Sequence, residues 1–151
     1  MSSNGINIKN RKASFSYQLI DKFVAGIVLV GTEIKSIRNN QAHISDAYCL
    51  FIENELWVRN LHIDEYSNNG HFNHEPKRAR KLLLNRIELN KIDSKIKEKG
   101  MSLIPLRLFS TDKGKIKLEI SLAKGKKIFD KRESIKAKDI KRDIDRLKKI
   151  K

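Results

Sequence analysis

Four short stretches of this chain combine residues that can hold a polyanion. Asn10, Arg11 and Lys12 form the first, and Glu33, Lys35, Ser36 and Arg38 the second. Arg78, Arg80 and Lys81 form the third, and Lys124, Lys126 and Lys127 lead into Phe129, Asp130, Lys131 and Arg132. Lys and Arg beside a phosphate release condensed counterions, and an aromatic ring among them can stack on a base. Glu33 is the odd member. As an acid at the start of a helix it complements the helix N-terminus; as an exposed carboxylate it could accept hydrogen bonds from base amino groups. Spacing alone leaves both readings open.

Charge placement points the same way. The chain has 151 residues and a net charge of +15. From Ala123 onward there are thirteen Lys or Arg against five Asp or Glu, a net +8, so more than half the excess lies in the last fifth of the molecule. A solvated helix explains a tail of +2 or +3; at +8, a nucleic acid is the expected partner.

The remaining motifs exclude other chemistry. Gly26 and Gly31 have the spacing of a phosphate loop, but no Lys-Ser/Thr pair closes it. His71, His74 and Glu75 match no common zinc spacing, and Pro76 disfavours a helix there. The carboxylates form no cluster in strand register that would hold Mg²⁺ for a nuclease. We expect a binding protein with no cofactor, not an enzyme. The longest apolar run, Phe23 to Val30, is too short to span a membrane, and the N-terminus lacks the features of a signal peptide. With the single Cys49, no internal disulfide can form, and a cytoplasmic monomer is expected.

To hold these stretches in place, the sequence offers mostly strands. Phe15, Tyr17 and Leu19 alternate with Ser14, Ser16 and Gln18, and Phe23 to Val30 reads as a second strand, apolar on both faces with Gly26 as a bulge. Ile44, Tyr48, Leu50 and Ile52 share a face; a turn at Glu53-Asn54 leads to Leu56 through Ile63. Leu103 to Phe109 and Lys115 to Leu122 flank Asp112-Lys113-Gly114 as a hairpin. One helix runs from its cap at Asn85, with Leu89, Ile92 and Ile96 inward, to Gly100; a shorter one over Thr32 to Arg38 buries Ile34 and Ile37. Six short strands and two helices predict a mainly β protein, an OB-fold-like closed antiparallel barrel over 1–122. A basic tail follows over 123–151, with Ile140, Ile144, Leu147 and Ile150 at near-helical spacing. Isolated helices of that length are marginal in water, so the tail is expected to be disordered alone and to become helical where phosphates surround it.

Taken together and in this order, the blocks resemble the SsrA-binding family, small protein B of bacteria. The resemblance rests on Asn10-Arg11-Lys12-Ala13 with Tyr17, and on Ala25 to Leu29 with Gly31-Thr32-Glu33-Ile34-Lys35-Ser36-Ile37-Arg38. It continues through Ile44-Ser45-Asp46-Ala47-Tyr48, Glu75 to Leu84, and Ala123 to Lys127 with Asp130-Lys131-Arg132. It implies an OB-fold barrel of six antiparallel strands that binds the tRNA-like end of transfer-messenger RNA. It further implies entry into stalled 70S ribosomes, the tail folding along the rRNA of the decoding region and empty mRNA channel, and tagging of the incomplete product for proteolysis. Position 129 is Phe where the family commonly has His or Tyr; a stack survives that change, a ring hydrogen bond does not. The rival reading is a ribosomal or ribosome-assembly protein built on an OB core.

Overall fold

The computed structural model of the chain describes residues 5–67 and 72–125. Its strands are β1 Asn7–Lys9, β2 Tyr17–Ile27, β3 Ala42–His43, β4 Tyr48–Ile52, β5 Glu55–Arg59, β6 His62–Ile63, β7 Arg80–Leu83, β8 Met101–Ser110 and β9 Ile116–Gly125. Its helices are α1 Ala13–Ser16, α2 Gly31–Arg38 and α3 Arg86–Ile96. Six strands hydrogen-bond in a closed antiparallel ring in the order β4-β5-β7-β2-β9-β8, and β8 returns to β4 through the pair Cys49–Leu103. β1 extends the ring from β8, and β3 and β6 form a separate two-stranded sheet.

The β8–β9 hairpin follows its sequence signal closely. Gly114 takes the left-handed conformation that its turn requires, with φ of 81°. Leu118, Ile120 and Leu122 all face inward and are fully buried, joined by Leu56, Val58, Leu103 and Leu108 from the ring and by Ile37 and Ile92 from α2 and α3. The strand continues past Leu122 to Gly125, because Ala123, Lys124 and Gly125 pair with Leu19, Gln18 and Tyr17. Ala123 and Lys124, expected to begin the tail, thus belong to the sheet. α3 is capped as its sequence predicts: Glu88 N–H donates to Asn85 Oδ1 over 2.8 Å, and Glu88 Oε1 accepts the Asn85 N–H. Asn85→Ala should remove about 1 kcal/mol of stability, read as a lowered thermal midpoint with an unchanged circular dichroism spectrum.

Three expectations fail for local physical reasons. Ser14 to Ser16 lie in the short helix α1, and Tyr17 to Ile27 form one strand in place of two. Asp21 and Lys22, which lie between the two expected strands, pair with Leu122 and Ser121; the irregularity falls between Leu19 and Asp21. Gly26 is no bulge: it pairs with Leu83 on one side and Lys117 on the other. A Cβ there would meet Leu83 Cβ at 3.3 Å, so a side chain would make Leu83 give way by a few tenths of an ångström. Phe23 to Val30 is apolar on both faces as its sequence shows, but Val24, Val28 and Val30 are exposed.

On β4 the inward set is Cys49 and Phe51, not Tyr48, Leu50 and Ile52. The turn explains it. Glu53 and Asn54 both adopt positive φ, making a two-residue hairpin that sets Cys49 opposite Val58 and Phe51 opposite Leu56. Val58 and Leu56 face the core, so their partners must too. The Leu82-Leu83-Leu84 run, left unassigned in the sequence, supplies β7, the sixth strand of the ring.

Candidate nucleic-acid interface

β7 follows a loop that carries Arg78, and its period-two alternation fixes what comes next. Leu82 points inward, so Arg80 two residues earlier must as well. Arg80 is fully buried, and so is Glu33 on α2. They form an ion pair. Arg80 also donates to the carbonyls of Leu61 and Pro76, the latter over 3.2 Å. Glu33 Oε1 accepts the backbone N–H of Val30 at 2.9 Å, closing the first turn of α2. Arg78 completes the cluster, with Nη2 2.6 Å from Oε1 and Nε 3.3 Å from Oε2. Burial pushes the Glu33 carboxyl up, but the Arg78 hydrogen bond, the Val30 N–H and Arg80 outweigh it, leaving it below the ordinary glutamate range.

Arg80, Glu33 and Ser36 therefore depart from the surface role expected of them. All three are buried, and in this arrangement none presents a polar group to solvent. The helix-start reading of Glu33 is the one its contacts fit. α2 owes this to a polar inner face: Thr32, Glu33 and Ser36 pack inward alongside Ile37, while Lys35 and Arg38 stay outside. Thr32 anchors the helix further. His74 Nε2–H donates to the Ile63 carbonyl, so Nδ1 is left to accept the Thr32 hydroxyl, each over 2.8 Å. With both ring nitrogens engaged, buried His74 has no lone pair for a metal; His71 lies outside the described residues.

The outward residues fall at the two ends of the β2–β9 ladder. At one end, where Gly26 pairs with Lys117, an open groove of about 380 Å³ lies between α2, β7 and the β8–β9 hairpin. Ile27, Ile34 and Leu83 give it an apolar floor, and Arg38, Lys115 and Lys117 ring it with positive charge. Lys115 and Lys117 were read as strand residues only, and Leu83 had no assignment; the Lys-x-Lys edge was the available signal.

Nine residues along the ladder, about 30 Å of strand, Tyr17 pairs with Gly125. A second groove of about 590 Å³ opens there, lined by Asn10, Lys12, Tyr17, Asp46, Tyr48 and Gly125 among others. Asn10 is seated by its side-chain amide, which donates to the Pro105 carbonyl over 3.0 Å, and Ala13 packs with Ile104 and Ala123 beneath. Arg11 and Lys124 are exposed nearby in sequence or register. Lys35 sits over the Tyr66 ring, 5.4 Å from its centroid, and Lys81 is paired with Glu55 at 2.8 Å. Lys126, Lys127, Phe129, Asp130, Lys131 and Arg132 lie outside the described residues.

Residues 7–150 match the family model for SmpB protein. The chain belongs to that family. Among its relatives, the SsrA-binding protein of Christiangramia forsetii is 55% identical over 146 residues, covering 97% of this chain and 93% of the relative. The SsrA-binding protein of Agrobacterium fabrum is 48% identical over 146 residues, covering 97% and 91%. A solved structure described as "tmRNA-SmpB: a journey to the center of the bacterial ribosome" superimposes with a TM-score of 0.71 at 35% identity, over 86% of this chain and 94% of that one. No helix among the described residues is long and apolar enough to cross a membrane.

Proposed function

We propose that this protein binds the tRNA-like part of transfer-messenger RNA and delivers it to stalled 70S ribosomes, where incomplete products are tagged. Its nearly full-length similarity to SsrA-binding proteins supports the RNA partner, and the structural neighbour, whose description names tmRNA and the bacterial ribosome, supports the destination. The observation that carries the reading is the separation of the two grooves along one ladder. Arg38, Lys115 and Lys117 lie at one end, and the basic tail departs after Gly125 at the other. An adaptor can use this arrangement, with folded RNA anchored at the first groove and reaching along the ladder toward the second while the tail enters the mRNA channel and decoding region. We read the six-strand ring as an OB-type barrel, which binds structured RNA by shape, phosphate contact and stacking. In this reading Asn10, Arg11, Lys12, Lys35, Arg38, Arg78, Lys81, Lys124, Lys126 and Lys127 face RNA, and Phe129 to Arg132 face the ribosome. Glu33, Ser36 and Arg80 support that surface from beneath. The protein is a monomeric cytoplasmic adaptor with no catalytic step of its own and no cofactor.

Sequencing the RNA that copurifies with the protein tests this directly. One dominant transfer-messenger RNA is expected, whereas bulk rRNA would favour a ribosome-assembly protein. Truncation after Gly125 removes twelve Lys or Arg and five Asp or Glu, a net +7. Non-specific RNA affinity should fall and its salt dependence flatten, while preference for transfer-messenger RNA over tRNA persists. Loss of that preference on truncation would overturn the two-ended division.

A further inference from the structure

Glu33 holds two arginines in different ways. Arg80 spends its donors inside the protein, on Glu33 and on the Leu61 and Pro76 carbonyls. Arg78 turns Nε and Nη2 inward to Glu33, with Nη2 also 3.4 Å from the Val28 carbonyl. Its Nη1 makes no hydrogen bond among the described residues, and the side chain is 35% exposed. Arg80 and Glu33 cancel in charge, so the net positive charge of the cluster rests on the one guanidinium that reaches solvent.

We propose that Arg78 is a pre-oriented phosphate-binding group, clamped by Glu33, with Arg80 as the buried counter-charge that lets Glu33 remain ionised beneath it. This rests on the RNA-binding reading above and names how one contact of that surface is made. An exposed arginine ordinarily loses side-chain freedom on binding; Arg78 is already fixed on two of its nitrogens. The free group suits a phosphate more than a base edge. Reading guanine O6 and N7 takes two donors side by side, and the second nitrogen of that fork, Nη2, is already turned toward Glu33 and Val28. A single outward N–H₂ carrying full charge meets what a phosphate oxygen requires. Glu33 and Arg80 are then positioning residues.

The test is a titration of full-length protein with the transcribed tRNA-like domain of transfer-messenger RNA over a range of salt. Arg78→Ala should weaken binding about tenfold and lower the slope of log K against log salt by about one phosphate's share. Arg78→Lys should keep that slope while losing part of the affinity, because charge remains and the clamp does not. Glu33→Gln combined with Arg80→Met removes both buried charges at once, keeps net charge constant and avoids stranding an unpaired ion. It should resemble Arg78→Lys, with a folded melting profile.

Wild-type affinity in Arg78→Ala, or weakened binding at an unchanged salt slope, would overturn the phosphate contact. Arg78→Lys binding as tightly as the wild type would overturn the clamp. If the wild type itself does not prefer this RNA over tRNA, the functional reading fails, while the Arg78 comparison on any bound RNA still stands.

Discussion

Glu33→Ala is expected to destabilise the protein by about 3–5 kcal/mol, the usual cost of leaving a buried charge without its partner. That is a large share of the roughly 5–15 kcal/mol that holds a domain folded. Arg80 has no exposed surface and, among the described residues, no second carboxylate paired with it, so it cannot turn to water when Glu33 is removed. The variant also loses the acceptor for Val30 N–H at the start of α2. Urea unfolding followed by circular dichroism should show a much lower midpoint; an unchanged midpoint would contradict the buried cluster. Net charge alone predicts tighter RNA binding after loss of an acid. We expect weaker binding, because α2 and Arg78 lose their common support. The pH dependence carries a sign. Glu33 titrates lower in the folded protein than the ordinary value of 4.5, so its contribution is complete above that value and lost as pH falls through the folded one. Below about pH 4.5 the wild type should lose stability more steeply than Glu33→Ala.

Glu33 also marks where sequence reasoning stops. β9 and α3 were legible because each has its own complete signal: strict alternation in one, an Asn85–Glu88 cap and an apolar stripe in the other. Which face of β4 turns inward was not legible, since it is dictated by the positive-φ turn at Glu53-Asn54 and by β5 across the ladder. The segment from Ser14 to Leu19 looked like alternating strand throughout. Packing of Ala13 against Ile104 and Ala123 bends its start into α1, and a long partner in β9 carries the rest straight through Asp21. The candidate surface divides similarly. Lys35 and Arg38 were legible as outward because the helical period assigns them so. Arg80 was not, because charge argued for the surface while the period of β7 placed it beside Leu82. Only the pairing with Glu33, forty-seven positions away, reconciles an arginine with that face. The grooves were illegible for the same reason, since each gathers residues from elements distant in sequence.

Changing Asp130, Lys131 and Arg132 together to alanine should abolish tagging of stalled products while leaving RNA affinity nearly unchanged. The substitution removes two bases and one acid, a net change of only one charge in a chain of +15, and it alters none of the described residues of the two grooves or of the Arg78 cluster. Electrostatic attraction to RNA therefore hardly moves. In the function proposed above, tagging requires something different, that the segment beyond Gly125 be seated in the decoding region so that the rest of the tail can follow into the mRNA channel. The ladder keeps that exit about 30 Å of strand from the Arg38 groove, so the two events are separable by mutation. Phe129→Ala should produce a smaller loss, since a base stack is worth about 1–3 kcal/mol. Phe129→Tyr should be tolerated, because it keeps the ring and adds a polar edge. A reconstituted translation reaction on a stop-less message measures all three variants beside their RNA affinities. Normal tagging by the triple variant would mean that the tail does not act in the decoding region and that delivery of the RNA is the protein's whole task.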